Sequence, residues 1–261
     1  MSQSDSASCN LKNLIILSLC QALFFSGRTL TFFAAALVAI SMLGDNLIFA
    51  TAPVTAMLVG TSVATLPASF LMRSWGRRWG FACGSIIGFS GASIAAQAVA
   101  MDNFAIFNFG IFLSGIYGGF AQQYRFAAAE VAPAHLKEKN VSIVIAMSVL
   151  GAFVGPETAL IAKDWIAGTA FQGTFYVLAG FYALSAVIIL FVQIPKLTED
   201  EIKDSGRPLR EIMKSPTFII AVVAALFGYV VMNFLMVVTP LTMETLKTVV
   251  FTHENIKLVI Q

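Results

Sequence analysis

Charge is what this sequence has least of. Only 11% of its 261 residues are Asp, Glu, Lys or Arg, whereas soluble domains carry roughly 25%. The 14 acids and 16 bases are gathered in short clusters between long uncharged stretches. Mean hydropathy is +0.83. This excludes a soluble domain with a large core and points to a polytopic membrane protein. Cysteine is scarce too. Cys9 lies in a polar N-terminal tail, and Cys20 and Cys83 lie inside apolar runs. An odd, scattered trio supplies neither a disulfide framework nor metal-ligand spacing. The two histidines, His135 and His253, stand outside the apolar runs. The sequence has no Ser/His/Asp set and no Gly-rich phosphate loop followed by Lys. An enzyme or an ATP-driven pump is therefore not expected, nor is any cofactor or metal. Net charge is only +2, with no basic stripe interleaved with aromatics, so nucleic acid is not an expected partner.

What the sequence does have is long apolar runs. Seven can be marked, at about 13–40, 46–71, 79–101, 104–129, 141–161, 173–194 and 216–241. A membrane-crossing helix needs about 20 such residues. The runs are too long for barrel strands and lack alternation of period two. Helices satisfy their own backbone in lipid, so the fold class is all-α and the expected partner of the surface is the lipid bilayer. The first run is too long for a signal-peptide core, and no small-residue cleavage site follows it.

The charged clusters orient these helices. Lys12 precedes the first run. Arg73, Arg77 and Arg78 follow the second, and Lys137 and Lys139 the fourth. Lys196, Lys203, Arg207, Arg210 and Lys214 follow the sixth. The other set of loops holds Asp45, Asp102, Lys163 and Asp164. The positive-inside rule places the N-terminus in the cytoplasm. The chain divides into a six-helix bundle over 1–195, a cytoplasmic linker over 196–215, and a seventh helix with the start of an eighth over 216–261.

This layout resembles the first half of a major facilitator superfamily transporter. Such proteins join two six-helix halves, each built from three-helix inverted repeats. The turn Arg73-Ser74-Trp75-Gly76-Arg77-Arg78 is similar to the family's loop Gly-x-x-x-Asp-Arg/Lys-x-Gly-Arg-Arg/Lys. Gly76, Arg77 and Arg78 match its last three positions, while Ser69 replaces the first Gly and Arg73 replaces the Asp. The resemblance implies a gate at this turn, with Glu130 supplying the missing acid. Positive-inside topology alone would also explain the arginines. Gly151 and Gly155, followed by Pro156, resemble the Gly-Pro motif of the antiporters' fifth helix. The same pair reads first as a small-x-x-x-small packing seam. The stretches Gln21-Ala22-Leu23-Phe24, Gln123-Tyr124-Arg125-Phe126-Ala127-Ala128-Ala129-Glu130 and Met232-Asn233-Phe234-Leu235 look like a bacterial branch that includes proposed riboflavin transporters. The implied function is ion-coupled secondary transport of a small solute by alternating access across the bacterial inner membrane, protons being one coupling option. The chain would hold one half of the twelve-helix fold and one helix more.

Candidate site residues follow from polarity inside apolar runs. In the family the first, fourth, seventh and tenth helices line the cavity, which implicates Gln21, Arg28, Gln122, Tyr229 and Asn233. Interhelical hydrogen bonding explains each of these as well. Arg28 and Glu157 are intramembrane charges, about 22 Å and about 24 Å along their helices. Such charges are costly and face a cavity or a partner. Their matched depth on neighbouring helices predicts an Arg28–Glu157 pair, fixing packing or binding substrate or proton. Two rivals differ in class. A seven-helix receptor has its N-terminus outside, and a retinal protein needs a Lys that 216–241 lacks. A non-transporting membrane subunit would require only a half-bundle and a partner.

Overall fold

The computed structural model describes residues 3–44, 47–194, 211 and 213–259. The chain divides into two compact units, Met1–Leu197 and Thr198–Gln261. Among the described residues the first contains seven α-helices: α1 (Gln3–Leu43), α2 (Ala52–Trp75), α3 (Arg77–Ala100), α4 (Phe104–Ala121), α5 (Tyr124–Val131), α6 (Lys137–Ala162) and α7 (Gln172–Ile189). The second contains α8 (Pro216–Val259). Seven stretches among the described residues are long and apolar enough to cross a membrane, with α4 and α5 together forming the fourth.

Three helix boundaries depart from expectation. The fourth run is not one helix, because it breaks at Gln122 and Gln123, where the backbone turns between α4 and α5. The polar tail before Asn13 is helical from Gln3 onward. The seventh run continues as a single helix to Val259 instead of ending near 241 and opening an eighth. Nothing from Leu241 to Val259 is Gly or Pro, the residues that most readily stop a helix. Most of the linker, 196–210 and Ile212, lies outside the described residues.

Within the first unit, α1 packs along α6 and α7, α2 along α4, and α3 along α4 and α7. This pattern has internal symmetry. Exchange the first three spans with the last three, and the first–fifth contact becomes the fourth–second contact. The third–fourth contact likewise becomes the sixth–first, and the third–sixth maps onto itself. That is the pairing an inverted repeat requires. The two equivalent seams are built alike from small residues. On α6, a Cβ at Gly151 would lie 2.5 Å from the Ala22 carbonyl oxygen of α1, and one at Gly155 would overlap Thr29 and Ser26. On the other seam, Gly60 of α2 and Gly115 of α4 meet each other's helix backbone just as closely. Thr29 Oγ1 donates to the Gly151 carbonyl at 3.4 Å and Thr61 Oγ1 to the Gly115 carbonyl at 2.9 Å. Without a hydrophobic force between helices in lipid, close backbone approach and such bonds supply the attraction. Outward faces carry exposed Leu66, Phe70, Phe153 and Ile161, as a lipid-facing surface should.

Gly76 joins α2 to α3 with φ +89°. A residue with a side chain would be strained there, so the glycine lets two long helices reverse with a single residue between them.

Candidate functional site

Two polar sites are built inside this apolar frame. The first is a narrow cleft of about 10 Å³, room for about one water, lined by Phe24 and Arg28 of α1, Met57 and Thr61 of α2, Ser114 of α4 and Tyr182 of α7. These residues sit near the middle of their helices, so the cleft is at mid-depth of the bundle. Arg28 is half-buried, and its guanidinium carbon stands 6.0 Å from the Phe25 ring and 5.6 Å from the Phe32 ring. Those distances are at the reach of cation–π attraction. Ser114 is 3% exposed, and among the described residues nothing hydrogen-bonds its hydroxyl. A buried hydroxyl normally has a partner. Behind the cleft, Tyr117 packs against Phe24 and Tyr182, with ring centroids at 5.5 Å and 4.8 Å. Its hydroxyl hydrogen-bonds the hydroxyls of Ser185 and Tyr124, at 2.8 Å and 3.1 Å. The cleft therefore combines a cation, an unpaired hydroxyl and aromatic walls on a rigid base.

The second site is at the end of the bundle that carries the basic turn. Both carboxylate oxygens of Glu130 on α5 accept from the Arg77 guanidinium, through Nε and Nη2. The other terminal nitrogen of Arg77 donates to Gln123 Oε1 at 3.2 Å, and Gln123 Nε2 donates to Ser69 Oγ at 2.8 Å. The network ties the end of α2 and the start of α3 to both sides of the α4–α5 break. The expected proximity of Glu130 to the arginines is therefore found, and Arg77 is the partner. Arg73 and Arg78 are exposed.

Other candidates are placed differently. Arg28 and Glu157 do not form the expected pair. Glu157 is exposed, two positions beyond Gly155 and so about 200° around α6 from the face that meets α1. Arg28 faces the α2–α4 side of α1 instead. Equal depth gave no information about direction around the helix. Gln21 is buried and donates to Ser148 Oγ of α6 at 2.9 Å, which joins the α1–α6 seam. Gln122 is half-buried at the α4–α5 break, about 12 Å along the helix from Ser114. Asn233 donates to the Tyr229 carbonyl at 2.7 Å within α8, in the second unit. Ser114, Thr61 and Tyr182 were not anticipated. Single hydroxyls in apolar runs resemble helix back-bonding residues, and only the packing singles these out.

Taken together, six spans paired as inverted repeats around a mid-depth polar cleft form a half-bundle of the kind from which secondary transporters are built. The sequence profile of the Major Facilitator Superfamily matches residues 17–251, and the chain belongs to that family, whose members are transporters and not enzymes. A riboflavin transporter of Brucella anthropi, RfnT, is 34% identical over 234 residues, which are 89% of this chain and 58% of that protein. An uncharacterised transporter of the family from Bacillus subtilis, YdeG, is 25% identical over 70% of this chain and 43% of its own length. The chain thus spans about half the length of these relatives. The fold matches the inward-open xylose transporter XylE of E. coli with a TM-score of 0.63, at 18% identity, over 82% of this chain and 55% of that one.

Proposed function

We propose that this chain is the substrate-binding first half of a transporter for riboflavin or a closely similar flat, acceptor-rich solute. The observation that carries the reading is the set of groups gathered at the cleft, which suit such a solute once the narrow cleft widens to admit it. Arg28 can donate to ring carbonyl oxygens, the Ser114 hydroxyl stands unpaired beside it, and Phe24 and Tyr182 offer aromatic surface. The similarity to the Brucella anthropi riboflavin transporter over most of the chain supports the same solute class. Binding at mid-depth suits alternating access, in which two bundles rock about a fixed site. Ion coupling, with protons as the first ion to test, and placement in a bacterial inner membrane complete the reading. Gln21 supports the cleft from the α1–α6 seam.

Riboflavin uptake by a strain that depends on external riboflavin tests the proposal. Cells producing this half together with the second bundle should take up the vitamin, and excess unlabelled riboflavin, but not xylose, should compete. Arg28→Gln should lower uptake about tenfold, the cost of one charged hydrogen bond. A protonophore should abolish accumulation. Uptake that is absent, or indifferent to Arg28, would remove the reading.

Orientation has its own test. Arg73, Arg77, Arg78, Lys137 and Lys139 fall at one end of the first unit, and we place that end and the N-terminus in the cytoplasm. Cys20 is buried and Cys83 half-buried within helices. A membrane-impermeant thiol reagent should therefore miss Cys9 in intact spheroplasts and modify it after lysis, in a Cys83→Ser background. Modification from outside would invert the topology.

A further inference from the structure

Two tryptophans flank the basic turn. Trp75 closes α2 and Trp79 lies in the first turn of α3, and they are 61% and 57% exposed. Beside them α3 and α7 leave an open groove of about 640 Å³, whose walls include Ala82, Ile86 and Ile87 of α3, Val187 of α7 and Leu190 just past its end. Apart from Ser74 and Cys83 at its edge, the groove is lined by apolar residues. It lies wholly within the first unit, away from the mid-depth cleft and from the Arg77–Glu130 network.

The basic end of the groove has two features that favour negative charge. Gly76 provides no side-chain cap to α3, so the first N–H groups of that helix keep their capacity for an anion. Arg78 is exposed, one helical turn before Ala82, with its guanidinium carbon 5.7 Å from the Trp79 ring. Arg77 is engaged by Glu130 and does not contribute. An apolar groove thus has Arg78 beside Trp79 at its basic end, and an aromatic pair stands at the boundary where headgroups lie.

From this we infer that the α3–α7 groove is a site for one anionic phospholipid. The acyl chain would lie against Ile86, Ile87 and Leu190, and the phosphate would rest on the α3 N-terminus and Arg78. Any lipid could wet the groove. The rim is what would select an anionic headgroup, by about fivefold for one arginine near the surface.

Tryptophan quenching reads this directly. Trp165 is the third and last tryptophan of the chain, and Trp165→Phe leaves Trp75 and Trp79 as reporters. The protein is reconstituted in phosphatidylcholine vesicles containing brominated phosphatidylglycerol or, at the same mole fraction, brominated phosphatidylcholine. The anionic lipid should displace the neutral one with a relative affinity of about five. Arg78→Gln should bring that ratio close to one, while Arg78→Lys should keep it. Arg78 is exposed, so neither change threatens the fold, and circular dichroism verifies this. Equal quenching by both lipids in the parent would overturn the inference, leaving an ordinary aromatic belt. A ratio that ignores Arg78→Gln would also overturn it. Shielding from both lipids that deepens as the protein-to-lipid ratio rises would overturn it in favour of a second copy covering the groove.

Discussion

Gly155→Val should cost the bundle at least about 3 kcal/mol, whereas Gly180→Ala should leave it as stable or slightly more so. The two glycines are 25 residues apart on neighbouring spans, yet their surroundings are opposite. A Cβ at Gly155 would fall on Thr29 Oγ1 and the Ser26 carbonyl, with the Leu30 nitrogen 2.9 Å away. Most of those atoms are backbone and cannot turn aside. Valine adds two further methyl groups, so α1 and α6 must separate along their whole seam. Overpacking typically costs about 1–3 kcal/mol where side chains can adjust, and this site lies above that range because they cannot. Separation would also break the Thr29–Gly151 and Gln21–Ser148 bonds. Around Gly180 nothing lies within 4 Å, and alanine is the better helix former by up to about 1 kcal/mol. Unfolding in mixed micelles, followed by circular dichroism, separates the two outcomes. Equal midpoints for both variants would mean that the α1–α6 contact is not a tight seam.

The contrast shows which parts of this molecule are legible in its sequence. Hydropathy identifies all seven spans, since the environment of a transmembrane residue is written in its polarity. The spacing of Gly151 and Gly155 gives the seam, because small residues four apart share a helix face. The Arg77–Glu130 pair is legible from a departure, the missing acid at position 73, which requires another acid nearby. Direction around a helix is not legible at isolated positions. Glu157 has the depth of Arg28 and the wrong face: the Gly151–Gly155 seam turns it about 200° away from α1, and depth alone does not weigh that, while no periodic pattern fixes the azimuth of Arg28. The α4–α5 break has no local signal, since neither Gly nor Pro stands at 122–123. It is held from a distance, by Gln123 bonding to Ser69 and Arg77. Ser114 and Thr61 are silent for a related reason. Their significance comes from the helix opposite, which the sequence near them does not contain.

Glu130→Arg should reduce transport about a hundredfold while changing the stability of the bundle by less than about 1 kcal/mol. The carboxylate is 41% exposed and the guanidinium 18%, so solvent screens the pair and its contribution to folding is that of a surface ion pair. Its geometry makes it more consequential for movement. The bidentate contact fastens the α2–α3 turn to α5, and through Gln123 and Ser69 it also fastens α2 to the α4–α5 break. Opening or closing this end of the bundle must strain or release four elements together. Placing Arg at 130 disfavours by several kcal/mol the states that bring the two cations together, whereas the unfolding midpoint reads the relaxed state in which these exposed side chains have parted. About 3 kcal/mol is a hundredfold in population. Glu130→Gln keeps a hydrogen bond without the charge and should lose less, about tenfold. The exchange Arg77→Glu with Glu130→Arg restores attraction and should recover most of the activity. Uptake assays on the four proteins, paired with unfolding midpoints, distinguish a gate from a topological anchor. If the arginines only set orientation, Glu130→Arg adds a positive charge to an already positive loop and uptake stays at the parent level. If the exchange fails to recover uptake while both singles fold normally, the two side chains act separately and the network is not the gate.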